Sequence, residues 1–178
     1  MMKYSFYLLG HRVTVETGDP ALKERLEDIT VHSADAEPIS TEIILQLRSL
    51  NGLIQIVRRG SVLAQASQPD IVIRDLHMFI NDLVLEARTD LLKLHAGAAT
   101  WEGHYFLVTG DRGAGKTTLL LKMMLNGTDV HCDEIVLLEE GMVRTFLRKF
   151  HIRAGTLTLL PRVAEVCKTK HSYPDYSS

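Results

Sequence analysis

One stretch constrains this chain more than any other: Gly110-Asp-Arg-Gly-Ala-Gly-Lys-Thr117. Two glycines separated by four residues, and then Lys and Thr, form the pattern of a phosphate-binding loop, in which backbone N–H groups surround a polyphosphate. Glycines stand where a side chain would collide with that anion. Lys116 is expected to place its charge on the outer phosphates, and Thr117 to offer its hydroxyl to Mg²⁺. The residues expected to contact nucleotide are Gly110, Asp111, Arg112, Gly113, Ala114, Gly115, Lys116, Thr117 and Thr118.

The residues on either side of this loop agree with the motif. Residues 105–109 are a β-branched and aromatic run that is typical of a buried strand. Residues 118–125 are rich in helix formers and end at Asn126-Gly127, a common C-terminal stop. A strand, a phosphate-binding loop and a helix in this order predict an α/β nucleotide-binding core. The alternative is a glycine-rich turn that binds no ligand.

Composition narrows the class of protein. The chain has 178 residues, 46% apolar and 24% charged, which suits one ordinary domain or a small domain attached to a core. A net charge of −2 gives no general attraction to nucleic acid or to anionic lipid, so neither is expected as a partner. No apolar run is long enough to span a bilayer, and the first apolar segment is too short for a signal peptide, which predicts a cytoplasmic protein. Cys132 and Cys167 lack metal-ligand spacing and are expected to be reduced.

Hydrophobic periodicity predicts how the chain is organised. The first part alternates apolar and polar residues between turn signals such as Asn51-Gly52, which predicts short strands. Asp19-Pro20 is typical of a helix start, and a short helix is predicted from there to about Asp28. The predicted units are, in order, a small mainly β N-terminal subdomain, a connecting helix, a nucleotide-binding core and a disordered tail, at residues 1–69, 70–94, 95–167 and 168–178.

Two adjacent carboxylates, Asp133 and Glu134, end the strand predicted after the loop and its helix. An acidic pair at this point is where a phosphate-loop protein holds Mg²⁺, directly or through water. Thr117 and Asp133 are the candidate metal ligands, and one of the two acids is expected to act as base or orienter for the attacking group. Position alone does not divide these roles. The alternative is a pair of acids in a solvated turn.

His95 lies one predicted strand upstream of the loop, which the chain reaches through a hairpin at Glu102-Gly103. Its imidazole is expected either to orient one of the two carboxylates or to be a satisfied core histidine, and the residues alone leave both interpretations open. Trp101 is expected to pack within the hairpin, with an adenine platform as the alternative. Weaker candidates, more typical of solvated or gap-filling side chains, are His104, His131, His151, Arg144, Arg148, Lys149 and Arg153.

Taken together, these elements resemble the C-terminal catalytic domain of HPr kinase/phosphorylase and its HPr-kinase-like P-loop kin. The resemblance covers roughly residues 92–161 and rests on Leu94-His95-Ala96, on residues 108–118, and on Val130-His-Cys-Asp-Glu-Ile-Val136. It implies an α/β fold with a P-loop core of the HPr-kinase-like type, and it implies ATP and Mg²⁺ as cofactors. It also implies a serine hydroxyl of a protein or peptide as acceptor. Lys116 and His95 would be catalytic, with one acid of the pair as the base.

Three departures from the family limit what can be carried over. The family usually has a second Asp where this chain has Glu134, and often Ser where it has Arg112. Past Pro161 the chain is expected to lack the family's further acidic metal ligand, its catalytic arginine and its C-terminal helices. The resemblance therefore predicts the nucleotide half of the family's site, and much of the acceptor half is expected to be missing.

The leading hypothesis is an ATP- and Mg²⁺-dependent phosphotransferase that acts on a hydroxyl. The alternatives are a catalytically weak nucleotide-binding regulatory module and an ATPase switch. The sequence leaves open the acceptor, the direction of the reaction and the oligomeric state, which is hexameric in the full enzymes of the family.

Overall fold

The computed structural model describes residues 1–22, 25–26, 41–144, 146, 150 and 152–166. This part of the chain is mixed α/β, with three sheets and four α-helices, which confirms the predicted fold class at that level. The chain divides into two compact units, Met1–Thr89 and Asp90–Ser178. Among the helices that the structure describes, none combines the length and the apolar character that a bilayer crossing requires. The predicted tail and Cys167 lie outside the described residues.

The first unit is built on a five-stranded sheet with the order β1-β2-β3-β4-β5. Neighbouring strands are antiparallel except β2 and β3, which are parallel. A single 3-10 turn at Pro20–Leu22 follows β2, and the Asp19 carboxylate caps it by accepting the Ala21 N–H at 2.9 Å. Most of the rest of the helix predicted to Asp28 lies outside the described residues. The strands are β1 Met2–Leu8, β2 His11–Thr17, β3 Glu42–Leu50, β4 Leu53–Arg58 and β5 Ser61–Ala66.

Helix α1, Pro69–Ala87, packs against β4 and β5 of this sheet. Its buried apolar side chains recur every three or four residues and include Val72, Ile73, Leu76, Ile80 and Val84. The helix predicted to reach residue 94 ends earlier, at Ala87. The Arg88 N–H still bonds to the Val84 and Leu85 carbonyl oxygens, but the Arg88 backbone has left the helical region. Leu92–Leu94 instead forms a strand, because its backbone pairs with another strand of the second unit.

The second unit contains two antiparallel three-stranded sheets, with the orders β8-β7-β9 and β11-β10-β6. Side chains from both sheets form a small apolar core around Ala98, Cys132 and Val136. Cys132 is a free thiol in this core, and burial raises its pKa. The elements are β6 Leu92–Leu94, β7 Gly97–Trp101, β8 His104–Val108, α2 Lys116–Leu125, β9 Asp129–Cys132, β10 Val136–Glu139, β11 Met142–Arg144, α3 Ala154–Leu159 and α4 Pro161–Val166.

Helix α2 packs directly on strand β7 at Gly97. A Cβ built on this glycine would overlap Leu120 Cδ1 and would lie 3.2 Å from the Cys132 carbonyl oxygen. Leu120 is fully buried, so the absence of a side chain at Gly97 is what lets the helix approach the strand this closely. This contact fixes the start of α2 relative to the end of β9, where the acid pair begins.

Candidate functional site

The glycine-rich loop, residues 110–117, connects strand β8 to helix α2, as the flanking sequence predicted. The expectation that this strand is buried is wrong, because Tyr105 is 66% exposed and Leu107 38% exposed. Gly110 has a φ of 150° and Gly115 a φ of 90°, conformations that glycine adopts far more readily than other residues. Between them the Ala114 N–H donates to the Asp111 carbonyl oxygen at 3.1 Å and closes a tight turn. Gly115 is the residue immediately before the first turn of α2. The glycines therefore allow the chain to turn from strand to helix within this loop.

Lys116, the first residue of α2, lies back against the loop. Its Nζ donates to the carbonyl oxygens of Gly110 at 2.7 Å and Asp111 at 3.1 Å, and the residue is only 9% exposed. A buried ammonium needs such partners, because an unpaired charge away from water is costly. The Lys116 ammonium therefore holds the loop closed. It lies beside the loop backbone, at a place where a bound anion would also meet the N-terminus of α2.

The next residue connects the loop to the acid pair. The Thr117 hydroxyl donates to the Asp133 carboxylate, with distances of 2.9 Å to Oδ2 and 3.2 Å to Oδ1. Asp133 follows the end of β9 and is 7% exposed. Two residues that the sequence proposed as metal ligands, 16 positions apart, are thus in direct contact.

Burial raises the pKa of the Asp133 carboxyl above its usual value. The hydrogen bond from Thr117 opposes this change, the nearby Glu134 carboxylate adds to it, and the Lys116 ammonium lowers the pKa again. Desolvation has the largest effect, since the charged form of a buried carboxyl loses its hydration. Any cation held beside Asp133 would reverse this balance, because an opposite charge favours the ionised form.

Glu134 differs from Asp133 in both exposure and backbone. Its side chain is exposed, its φ is 81°, and its own N–H bonds to the Asp133 carboxylate. The other described non-glycine residues with positive φ each precede a glycine in a two-residue hairpin turn: Leu9, Asn51, Arg59, Glu102 and Glu140. There the positive φ suits the turn, whereas Glu134 stands in no such hairpin. Left-handed residues of this kind are strained and collect at functional sites.

His95 lies on the segment that runs beside the acid pair. The strand registers pair Leu94 with Val136 and Ala98 with Cys132, so residues 95–97 pass alongside residues 133–135. His95 is exposed, which makes the interpretation as a buried core histidine wrong. Among the described residues no hydrogen bond joins His95 to either acid. Its predicted orienting role therefore stays a prediction.

The other residues of the predicted nucleotide site differ in their surroundings. Asp111, Arg112 and Ala114 are exposed on the loop. The Thr118 hydroxyl instead shares a 2.9 Å hydrogen bond with the hydroxyl of Thr156 in α3. Thr156 is buried, and no motif in the sequence indicated it, because its role depends on how α3 packs against the start of α2.

The weaker candidates that the structure describes are either exposed or bonded to other side chains. His131 forms a 2.6 Å hydrogen bond with the Thr100 hydroxyl and stacks on Tyr105, with ring centroids 5.2 Å apart. Trp101 is 62% exposed, so the expectation that it packs within the hairpin is wrong. The remaining described candidates are His104 and Arg153, both exposed, and Arg144, which pairs with Glu139 at 3.0 Å. Arg148, Lys149 and His151 lie outside the described residues.

The Thr117 hydroxyl and the Asp133 carboxylate are hard oxygen ligands, the kind that Mg²⁺ prefers. The described residues include no group of three or more His, Cys, Asp or Glu side chains that could hold a metal ion alone. Magnesium is commonly held by one or two carboxylates together with phosphates of the substrate. The residues present therefore fit Mg²⁺ that arrives with a nucleotide better than a metal held by the protein by itself.

No protein-family model matches the chain, and neither the curated proteins nor the solved structures include one that is significantly similar to it.

Proposed function

We propose that the chain is an ATP-binding, Mg²⁺-dependent phosphotransferase of the HPr-kinase-like type, which transfers the γ-phosphoryl group to a serine hydroxyl of a protein or peptide. The observation that carries the proposal is the hydrogen bond from Thr117 to Asp133. It joins a glycine-rich loop before a helix to a buried carboxylate at the end of the following strand. Phosphoryl transfer depends on positioning and charge stabilisation, which these elements supply in phosphate-loop enzymes.

Lys116 and the helix N-terminus bind the phosphates in this proposal. The ammonium exchanges the Gly110 and Asp111 carbonyl oxygens for phosphate oxygens, so it moves from one set of acceptors to another without becoming unpaired. Thr117 and Asp133 would hold Mg²⁺, which when bound would supply positive charge to offset the phosphate oxygens. A cation bound there would also favour the ionised form of Asp133.

Glu134 is the better candidate for the base. Asp133 is buried against Thr117, whereas the Glu134 side chain is exposed, where an acceptor can reach it. The acceptor oxygen forms a bond to the γ-phosphorus, the bond to the bridging oxygen of ADP breaks, and the hydroxyl proton passes to Glu134. His95, on the neighbouring segment, is assigned to orienting that carboxylate.

A nucleotide-binding regulatory module is the second candidate, and the bond between Thr118 and Thr156 favours it. This bond connects the residue next to the loop with helix α3, so a change in the loop on binding nucleotide has a direct route to the helical pair α3 and α4. Such a module would bind ATP tightly and transfer nothing.

Transfer from γ-labelled ATP to a library of serine-containing peptides separates these candidates. The phosphotransferase predicts labelled phosphoserine that requires Mg²⁺ and is lost in Glu134→Gln, with ATP binding retained. Nucleotide binding without any labelled peptide would favour the regulatory module. Labelling that continues unchanged in Glu134→Gln would contradict the role given to this residue.

A further inference from the structure

The outward face of the five-stranded sheet carries a groove that has no part in the nucleotide site. Along β3 the side chains of Ile43, Leu45 and Leu47 are buried on one face, while the alternate residues lie on the other. The groove on that second face encloses about 420 Å³ and is open to solvent. It is lined by Glu42, Ile44, Gln46, Arg48, Val57, Arg58, Arg59 and Gly60.

The acidic side chains of this face already have cationic partners. Glu16 pairs with Lys3 at 2.7 Å and accepts a hydrogen bond from Gln46 at 3.0 Å. Glu42, on the edge of the groove, lies 3.8 Å from the Arg12 guanidinium and accepts the Thr14 hydroxyl at 3.0 Å. Neither carboxylate is therefore left to neutralise the arginines of the groove.

Three arginines in the groove have no carboxylate partner among the residues that the structure describes. Arg48 donates to the uncharged Gln46 Oε1 at 2.6 Å, and no described residue forms an ion pair or side-chain hydrogen bond with Arg58 or Arg59. The whole chain has a net charge of −2, so an unmatched cluster of three guanidinium groups is not a consequence of overall composition. A ligand for this groove must bring negative charge.

The floor of the groove indicates what kind of acidic ligand fits. Ile44 is 43% exposed, and the buried Val57 lies beside it at a bulge in β4. Residues from Glu42 to Arg48 alternate along an extended strand and cover about 20 Å at about 3.3 Å per residue. None of the lining residues is aromatic, whereas proteins that bind single-stranded nucleic acid rely on aromatic stacking platforms.

We propose that this groove binds an extended acidic segment of a partner protein, with carboxylates on Arg48, Arg58 and Arg59 and an aliphatic side chain over Ile44. The proposal concerns the first unit alone and does not depend on nucleotide binding. An apolar floor edged by guanidinium groups matches a strand-like peptide in which acidic and aliphatic residues alternate.

Fluorescence anisotropy tests the proposal with a labelled peptide of about eight alternating glutamates and valines, long enough to cover the groove. A second peptide has glutamine in place of every glutamate. The experiment uses the full chain without ATP, so the result is independent of whether the chain is a phosphotransferase. We expect the glutamate peptide to bind, the glutamine peptide to bind much more weakly, and salt to weaken the binding.

Variants then locate the site. Arg48→Gln, Arg58→Gln and Arg59→Gln are each expected to weaken binding about threefold, as suits exposed charge pairs, and the triple variant about thirtyfold. Arg74→Gln on helix α1 is the matched control, since it removes the same charge from an arginine already paired with Asp75. Its affinity is expected to equal that of the wild type. Thermal unfolding checks that each variant is folded.

Several results would overturn the proposal. Equal binding of the two peptides would show that charge is not recognised, and this comparison needs only the wild-type chain. If Arg74→Gln lost as much affinity for the peptide as the groove variants, the loss would reflect the net charge of the chain and not a site in the groove. If an oligothymidine of similar charge displaced the labelled peptide at a lower concentration than the unlabelled peptide does, the groove would favour a nucleic acid backbone over a peptide.

Discussion

Replacing Gly97 with alanine tests how closely helix α2 packs on strand β7 beside the acid pair. The added methyl group would overlap Leu120 Cδ1 and would lie 3.2 Å from both Leu120 Cγ and the Cys132 carbonyl oxygen. Leu120 is fully buried, so moving it displaces other core side chains. The strand backbone at Cys132 is equally unable to retreat without shifting Asp133.

The size of the effect follows from two opposing contributions. Forcing an extra methyl group into a packed core costs about 1–3 kcal/mol, and the overlap with a fully buried side chain places Gly97→Ala near the upper end. Gly97 does not have a positive φ, so alanine fits its backbone and recovers about 0.4–1 kcal/mol through the unfolded state. The net loss is about 2 kcal/mol, which lowers the unfolding midpoint by about 4–8 °C for a chain of this size.

Differential scanning calorimetry measures this change, with Gly155→Ala as the control. Gly155 lies inside α3, has no atom within 4 Å of the position of an added Cβ, and does not have a positive φ. The same chemical change there is expected to stabilise the helix by up to about 1 kcal/mol. In a Leu120→Ala background the cost of Gly97→Ala is expected to shrink, because the methyl group then has room. An unchanged midpoint for Gly97→Ala in the wild-type background would refute the packing described.

The remaining predictions concern the acid pair and its partner. Thr117→Val removes the hydroxyl that bonds to Asp133 and is expected to destabilise the fold by about 1–3 kcal/mol, whereas Thr117→Ser keeps the bond; equal urea midpoints for the two variants would contradict this. Burial raises the pKa of the Asp133 carboxyl in the folded state. The stability that this carboxyl contributes is therefore fully present below its unfolded-state pKa and is lost as pH rises through its folded-state pKa. The stability of Asp133→Asn relative to wild type is therefore expected to increase from acidic to neutral pH, and a constant difference across that range would count against a raised pKa. Glu134→Gly and Glu134→Ala both remove the carboxylate, but only glycine relieves the positive φ, so the glycine variant is expected to be more stable by about 1 kcal/mol in chemical denaturation. A glycine variant no more stable than the alanine variant would mean that the backbone there is not strained.

Local chemistry made much of the backbone predictable from sequence. Pairs such as Asn51-Gly52 and Glu102-Gly103 specify two-residue turns, because both positions need positive φ and glycine supplies the second at little cost. The glycine-rich loop could be predicted for the same reason. The end of α1 could not be predicted, because apolar residues continue at helical spacing past Ala87 while the backbone of residues 92–94 pairs with β10.

The difference in environment between Asp133 and Glu134 could not be predicted from two adjacent carboxylates. It depends on tertiary contacts that bury Asp133 against Thr117 and leave Glu134 exposed in a left-handed conformation. Thr156 was missed because nothing in its sequence neighbourhood marks a threonine whose hydroxyl bonds to Thr118. Patterns along the chain therefore identified the chemical groups, whereas their burial and pairing required the fold.

Calorimetric titration with ATP, with and without Mg²⁺, tests whether the glycine-rich loop binds nucleotide. It compares the wild type with Lys116→Ala and with the control Lys122→Ala, at an exposed position of the same helix. We expect Mg²⁺-dependent binding that is retained in Lys122→Ala and lost in Lys116→Ala, because the Lys116 ammonium lies against the loop backbone. Absence of binding by the wild-type chain, or binding that survives Lys116→Ala unchanged, would contradict a nucleotide site at this loop.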